Sequence, residues 1–145
     1  SPNMSPGVNI TFKLLENAAS FFSQEYDVEI VEAHHRKKID APSGTALEMA
    51  KIISSVKQNL SSASYCFNRK GTTGPRNKDE IGFSVIRGGD IVGEHSVIFA
   101  GTGEVIELSH KSSSRESYTK GALLASKFLS QNTPNLYSMF DVLGL

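Results

Sequence analysis

The spacing of apolar residues changes near residue 81, and this change limits the possible folds more than any other feature of the sequence. Before it, apolar residues recur at helical spacing; after it, they form three β-like runs separated by glycines. Gly88-Gly89 separates the first two runs and Gly101-Thr102-Gly103 the next two, which predicts hairpins and an antiparallel meander. The predicted strands are 28–33, 81–87, 91–99 and 104–111. The pattern therefore predicts an α+β fold with a small, mostly antiparallel or mixed sheet and helices packed on one face.

Three segments have the period of an amphipathic helix and are expected to cover the sheet. A polar connection, 58–80, separates the second from the β-like runs. The helices and their apolar stripes are 8–24 with Ile10, Leu14, Ala18 and Phe21; 44–57 with Ala46, Met49, Ala50 and Ile53; and 115–130 with Leu123, Leu124, Ala125 and Phe128.

Length and charge exclude several classes of protein. The chain has 145 residues, 15 basic and 15 acidic, so its net charge of zero gives no electrostatic reason to bind nucleic acid or a membrane. The sequence contains no apolar run of about 18 residues and no signal-peptide pattern, and we expect a cytoplasmic protein. Its single cysteine, Cys66, gives neither a disulfide nor a metal motif. The exposed edges of the predicted sheet favour a homo-oligomer that assembles through the sheet.

A basic run, residues 34–38, is followed closely by the start of a predicted helix at Pro42-Ser43-Gly44-Thr45. A solvated basic loop would explain the run, and a helix cap at Ser43 or Thr45 would explain the polar residues. A cap does not require cations just upstream, however. Cations and helix-start amides aimed at one place favour an anion such as a carboxylate or phosphate.

Two further features concern catalysis. His34 and His35 are adjacent, so on an extended chain they point in opposite directions; one could act as a general acid and the other bind an anion. Their spacing does not suit chelation, and no metal site is predicted.

Arg115, at the start of the third helix, is either a carboxylate ligand or a surface residue beside a serine cap. The third glycine of a dinucleotide fingerprint is missing, because Ile106 stands in its place.

The segment Glu32–Ala46 closely resembles the signature of the dihydrodipicolinate reductase (4-hydroxy-tetrahydrodipicolinate reductase) family. One departure is Lys37, which stands where many members have His. The resemblance extends along nearly the whole chain, through Asn3-Met4-Ser5, Gly7-Val8-Asn9, Ile81-Gly82-Phe83, Arg87–His95, His110-Lys111, Ser113-Ser114-Arg115 and Tyr137–Leu143.

The resemblance implies the substrate-binding and tetramerisation domain of a two-domain enzyme of lysine (diaminopimelate) biosynthesis. Residues 1–7 would end a dinucleotide-binding domain that lies outside this chain, residues 8–130 would form the substrate-binding domain, and 131–145 would return toward the nucleotide domain. The implied partners are NADPH or NADH, a small dicarboxylate substrate, and identical copies in a homotetramer.

The resemblance also assigns roles to individual residues. His34 would be the proton donor or acceptor and Lys38 a second proton donor. The substrate would be bound by His35, Ser43, Gly44, Thr45 and Arg115, and the cofactor would be contacted by Ser1, Pro2, Asn3 and Met4. Two alternatives remain: a non-catalytic assembly and dicarboxylate-binding module when isolated, and a relative that acts on another small carboxylate.

Overall fold

The structure of the protein is a computed structural model, and it describes residues 2–22, 25–57, 60 and 64–145. Helices and strands alternate in the first half, and the long strands dominate the second. The elements are α1 (Pro6–Phe21), β1 (Asp27–His34), α2 (Gly44–Val56), β2 (Tyr65–Cys66), β3 (Ile81–Arg87), β4 (Gly93–Gly101), β5 (Glu104–Ser112), α3 (Glu116–Gln131) and α4 (Met139–Leu143).

The described strands form one mixed sheet in the order β2-β3-β1-β4-β5. β1 runs parallel to β3 and antiparallel to β4, and β5 pairs antiparallel with β4. The α+β prediction, with a mixed sheet and helices on one face, is confirmed.

The predicted meander is wrong at its first turn. β3 and β4 do not pair, because β1 lies between them: Ile30 is opposite Phe83 on one side and Val97 on the other. Gly88-Gly89 therefore carries the chain across β1 rather than closing a hairpin. A glycine pair indicates a turn but not which strand the chain pairs with afterwards. The second predicted hairpin is confirmed, with Gly103 at a φ of +85° in the turn.

The core lies between one face of the sheet and helices α1 and α2. Alternate residues of β1, β3 and β4 enter it, as the two-residue period of a strand requires. The predicted stripe of α2 is confirmed in full, since all four of its residues are buried. The main buried residues are Val28, Ile30, Ile81, Phe83, Val97 and Phe99 from the sheet, and Phe12, Leu15, Ala46, Met49, Ala50 and Ile53 from the helices.

The predicted stripe of α1 is wrong, because it points largely to solvent. Ile10, Leu14 and Phe21 are 45%, 52% and 86% exposed, whereas the buried stripe of the helix contains Phe12 and Leu15. α1 carries apolar residues on two faces, so periodicity alone could not identify the face that meets α2. The buried stripe comprises Val8, Phe12, Leu15 and Ala19, with Asn9 beside it.

α3 also leaves its predicted apolar face open. Leu123 and Leu124 are 66% and 46% exposed, and the buried residue of the helix is Gly121. A Cβ at Gly121 would lie 1.7 Å from the backbone oxygen of Met4, so glycine permits α3 to approach the N-terminal segment. No helix in the described ranges is both long and apolar enough to cross a membrane.

We expect Gly121→Ala to destabilise the chain by about 1–3 kcal/mol, since the new methyl group meets rigid backbone. In an open helix the same change would stabilise by about 1 kcal/mol. The measurement is the free energy of unfolding in urea. Ser126→Ala, at an exposed position of α3, is the control and should change stability by at most about 0.5 kcal/mol. A more stable Gly121→Ala variant would contradict the close approach.

Candidate functional site

A cavity of about 610 Å³ opens where the end of β1 meets the starts of α2 and α3. The polypeptide reaches it from four distant parts of the sequence, so the fold assembles it. It is lined by Pro2, His34, His35, Lys38, Ser43, Gly44, Thr45, Val92, Arg115, Tyr118 and Thr119.

All seven residues predicted to act in catalysis or substrate binding line this cavity: His34, His35, Lys38, Ser43, Gly44, Thr45 and Arg115. Of the predicted cofactor residues, Pro2 lines it too. Asn3 lies beside it and donates from Nδ2 to Thr45 Oγ1 at 3.1 Å. Met4 does not line the cavity, and its backbone packs against α3. Ser1 lies outside the described residues.

A buried carboxylate, that of Glu32, lies behind the cavity and receives hydrogen bonds from three parts of the fold. Arg87 donates to both oxygens, at 2.8 and 2.7 Å, and the Ser43 backbone N–H donates to Oε1 at 3.0 Å. The Nδ1 atom of His34 lies 2.6 Å from Oε2. Burial by itself raises the pKa of Glu32, but the hydrogen bonds from Arg87, His34 and Ser43 lower it overall, so the group stays ionised.

His34 is held by this carboxylate at the last position of β1. Burial lowers the pKa of His34, and the hydrogen bond to Glu32 opposes that effect. No described residue makes a hydrogen bond to Nε2 of His34. This atom lies beside Gly93, where a Cβ would be only 3.1 Å from it. The ring therefore has one nitrogen fixed by protein and one available for proton transfer.

The start of α2 forms the opposite wall. Ser43 is the N-cap, and its Oγ accepts a hydrogen bond from Ala46 N–H at 3.2 Å. The N–H groups of a first helical turn have no acceptor within the helix, so those of Gly44 and Thr45 suit an anion in the cavity. A Cβ at Gly44 would have no neighbour within 4 Å, which leaves this approach open.

Three cationic or titratable side chains complete the wall. Lys38 is largely buried and forms an ion pair with Asp40 at 2.8 Å, and this hydrogen bond lowers the pKa of Asp40. Arg115 is exposed at the N-cap of α3, where its side chain makes no capping bond. His35 lines this cavity and also a neighbouring hollow. The cavity therefore concentrates positive charge around one helix start.

Comparison with known proteins identifies the family. The sequence model described as "Dihydrodipicolinate reductase, C-terminus" matches residues 7–143. The chain belongs to this family.

Two relatives that are similar to the chain carry the same name. It is 57% identical over its whole length to the 4-hydroxy-tetrahydrodipicolinate reductase of Polynucleobacter necessarius, and 55% identical to that of Herminiimonas arsenicoxydans, covering 54% of each. The chain thus spans about half the length of the curated relatives it matches. A solved structure, dipicolinate-bound dihydrodipicolinate reductase from Paenisporosarcina sp. TG-14, superposes with a TM-score of 0.74 at 26% identity, covering 97% of this chain and 52% of that one.

Sequence reasoning assigned no role to Glu32, Arg87 or His95, although all three hold the site of this dihydrodipicolinate reductase domain together. His95 Nε2 lies 2.9 Å from Ser43 Oγ, and its ring packs edge-on against that of His34. The sequence did carry one signal: Glu32 and His34 continue the alternation of Val28 and Ile30 on the buried face of β1. A charged residue in that register indicates a paired, buried carboxylate.

Metal-binding chemistry has no support in the geometry. Within the described ranges, no group of three or more His, Cys, Asp or Glu side chains is arranged to hold a metal ion.

Acid should destabilise this domain between about pH 6.5 and 4. Burial, with repulsion from His34, lowers the pKa of His95 to about 4 from an ordinary 6.5. The unfolded chain therefore binds a proton in this range that the folded chain does not, so the stability present above pH 6.5 is lost as the pH falls. Burial also lowers the pKa values of His34 and His110, so both histidines add to the loss of stability in acid.

The measurement is the unfolding free energy at pH 7.5, 6 and 5. A difference of one bound proton changes the unfolding free energy by at most about 1.4 kcal/mol per pH unit. His95→Gln should remove the part of this pH dependence that comes from His95. An unchanged slope in His95→Gln would contradict the assignment to His95.

Proposed function

We propose that the chain is the substrate-binding and catalytic part of an oxidoreductase that uses NADPH or NADH. The reaction is conversion of 4-hydroxy-tetrahydrodipicolinate to tetrahydrodipicolinate and water, in the lysine (diaminopimelate) pathway. The single observation that supports this most is the convergence of His34, Lys38, Arg115 and the start of α2 on one cavity. A dicarboxylate requires anion-binding groups, and a reduction that expels hydroxide requires a proton donor.

The carboxylates of the substrate would occupy the cationic wall. The N–H groups of Gly44 and Thr45 would hold one carboxylate, and His35 and Arg115 the other. Each charge-assisted hydrogen bond of this kind contributes about 1.5–3 kcal/mol. The dipicolinate bound in the Paenisporosarcina structure is a planar dicarboxylate, which supports the assignment of the substrate class.

His34 and Lys38 would manage the protons. The 4-hydroxyl would accept a proton and leave as water, while the neighbouring ring carbon loses a proton to water and the double bond forms. Reduction of this double bond would then take up one hydride and one proton. When bound, the nicotinamide would supply the hydride. His34 Nε2 and Lys38 Nζ are the proton donors, and a positioned acid of this kind contributes about a hundred- to ten-thousand-fold in rate.

The N-terminal segment fits the reactive end of a nicotinamide cofactor. Pro2 lines the cavity, and the hydrogen bond from Asn3 to Thr45 places residues 2–4 against the substrate wall. Because the chain has no glycine fingerprint, most of the cofactor would be bound by a nucleotide domain outside these residues. Residues 1–7 would lead from that domain. The segment 131–145 would face it, since Met139 and Phe140 of α4 line a small hollow together with Pro2.

The site is tested by measuring the affinity of the 145-residue chain for dipicolinate in a calorimetric titration. We expect Lys38→Ala with Thr45→Pro to weaken binding by at least about 100-fold, since one cation and one helix-start amide are lost. Proline is tolerated in the first helical turn, so the fold should survive. Lys37→Ala is the matched control, because Lys37 is exposed and does not line this cavity.

Equal losses in the control and the double variant would contradict the placement of the site. In the reductase that contains this chain, Lys38→Ala should abolish most of the turnover, whereas near-normal turnover would refute its role as a proton donor. The chain alone should not oxidise NADPH with substrate; such activity would contradict the need for a separate nucleotide domain.

We also propose a homotetramer that assembles through the face of the sheet opposite α1 and α2. This face carries Val31 and Ile98, both partly buried, and the exposed Ile86 and Val105, at 52% and 64%. Light scattering of the chain should give the mass of four copies. Ile86→Asp should shift it to a smaller species by placing a charge in an apolar contact, whereas Leu136→Asp, in the exposed tail, should not. A wild-type mass of one chain would contradict the proposal.

A further inference from the structure

Glu32 does not line the cavity, yet it is in contact with the residue best placed to transfer a proton there. Its side chain is fully buried, and its two oxygens accept hydrogen bonds from Arg87, the Ser43 backbone and His34. A fully buried carboxylate is costly unless it is paired in this way. The preceding core-facing positions of β1 carry the apolar residues Val28 and Ile30, so a charge at the next such position indicates a specific task.

We propose that Glu32 is the positioning residue of His34: its carboxylate fixes the imidazole with a proton on Nδ1 and leaves Nε2 facing the cavity as the proton-transfer atom. This inference rests on the proposed function for its catalytic meaning. The tautomer itself follows from the contacts and can be measured without any turnover.

The contacts determine the direction of the His34–Glu32 hydrogen bond. Glu32 is ionised and accepts from Arg87 and Ser43, so it has no proton to donate to His34. Nδ1, 2.6 Å from Oε2, must therefore be the donor in both the neutral and the protonated ring. Neutral His34 then has its lone pair on Nε2, and protonated His34 carries its transferable proton there.

Arg87 makes this arrangement stable. Its guanidinium holds both oxygens of Glu32 and also donates to the backbone oxygen of Asp40, whose side chain pairs with Lys38. An ionised Glu32 is a weak base beside Arg87, so it stabilises a proton on His34 without removing it. One carboxylate thus fixes the ring of His34, while Arg87 anchors the loop that carries Lys38.

The charge around His34 comes from several elements, and Glu32 is the acidic group among those that act on its pKa. The others, Lys38 and Arg87, repel the imidazolium, and buried His95 packs edge-on against the ring. The groups that face His34 are Glu32 of β1, Lys38 of the following loop, Arg87 of β3 and His95 of β4. Removing the Glu32 charge alone should therefore lower the His34 pKa.

The same carboxylate connects the acid to the anion-binding wall. Oε1 accepts from the N–H of Ser43, the N-cap of α2, while Oε2 contacts His34. A glutamine keeps an oxygen for Ser43 and one N–H of Arg87, but it places an amide NH₂ toward His34 and the other Arg87 N–H. This substitution therefore preserves the start of α2 while changing the partner of the ring.

The test is Glu32→Gln, compared with wild type by ¹⁵N NMR of the histidine ring nitrogens in the 145-residue chain. Wild type should show Nδ1 protonated in neutral His34. In Glu32→Gln the proton should move to Nε2, and the pKa of His34 should fall by about 1. Glu29→Gln is the matched control: Glu29 lies on the same strand and is paired with Arg69 and Arg76, but on the opposite face of the sheet.

The kinetic measurement uses the reductase that contains this chain. A His34 pKa lower by about 1 reduces the protonated fraction about 10-fold at neutral pH, so kcat should fall about 10-fold and its alkaline limb should move about 1 pH unit lower. KM should stay within about a factor of 3, since the carboxylate-binding wall is retained. Glu29→Gln should leave the pH profile unchanged, since Glu29 does not contact His34.

Several outcomes would overturn the inference. They are a wild-type spectrum with Nε2 protonated, a Glu32→Gln spectrum and titration that match Glu29→Gln, and a fall in stability with no change in the pH profile. If Glu32→Gln does not fold, the wild-type tautomer still decides. If the wild-type reductase lacks turnover, the proposed function fails, whereas the NMR result for Glu32 and His34 stands independently.

Discussion

A single buried carboxylate organises this domain. Glu32 receives hydrogen bonds from β3 through Arg87, from the start of α2 through Ser43, and from its own strand through His34. The backbone ladder already joins β3 to β1, whereas α2 packs on the sheet through buried apolar side chains, and such contacts tolerate small sliding movements. Hydrogen bonds to an ionised, buried group fix direction as well as distance. The mutual placement of strand end, helix start and loop therefore depends on this one side chain.

The face of the sheet that is turned toward α1 and α2 has an apolar half and a polar half. Toward the N-terminal end of β1 the sheet buries Val28 and Ile30 against α1 and α2, and this part supplies the hydrophobic stabilisation. At the other end the same face carries Glu32, His34 and His95. Buried polar groups reduce stability unless they are satisfied, so a folded chain that retains them uses the apolar half to offset their cost.

Sequence patterns predicted what is local and failed where topology decides. The face of α2 followed from Ala46, Met49 and Ile53, because that helix has one apolar stripe. α1 has two apolar stripes, and which of them is buried depends on its packing against α2, which is distant in sequence. Likewise Gly88-Gly89 indicated a turn, but the insertion of β1 between β3 and β4 is a property of the whole sheet. Glu32 and His95 become neighbours only through that register, which no local pattern contains.

Six of the seven predicted catalytic and substrate-binding residues lie within residues 34–45, where sequence neighbours are also spatial neighbours, so a local pattern could predict them. Val92, Tyr118 and Thr119 reach the cavity only through the fold, and the sequence did not predict them. Lys37 lies within the same short segment but outside the cavity. Its side chain is exposed and lines the neighbouring hollow with Arg36 and Asp90, while Lys38 turns inward to the cavity and Asp40. A second cation outside the cavity adds to the positive field around it. The residues proposed to act on the substrate therefore lie on either side of Lys37 in the sequence and line the cavity, which Lys37 does not.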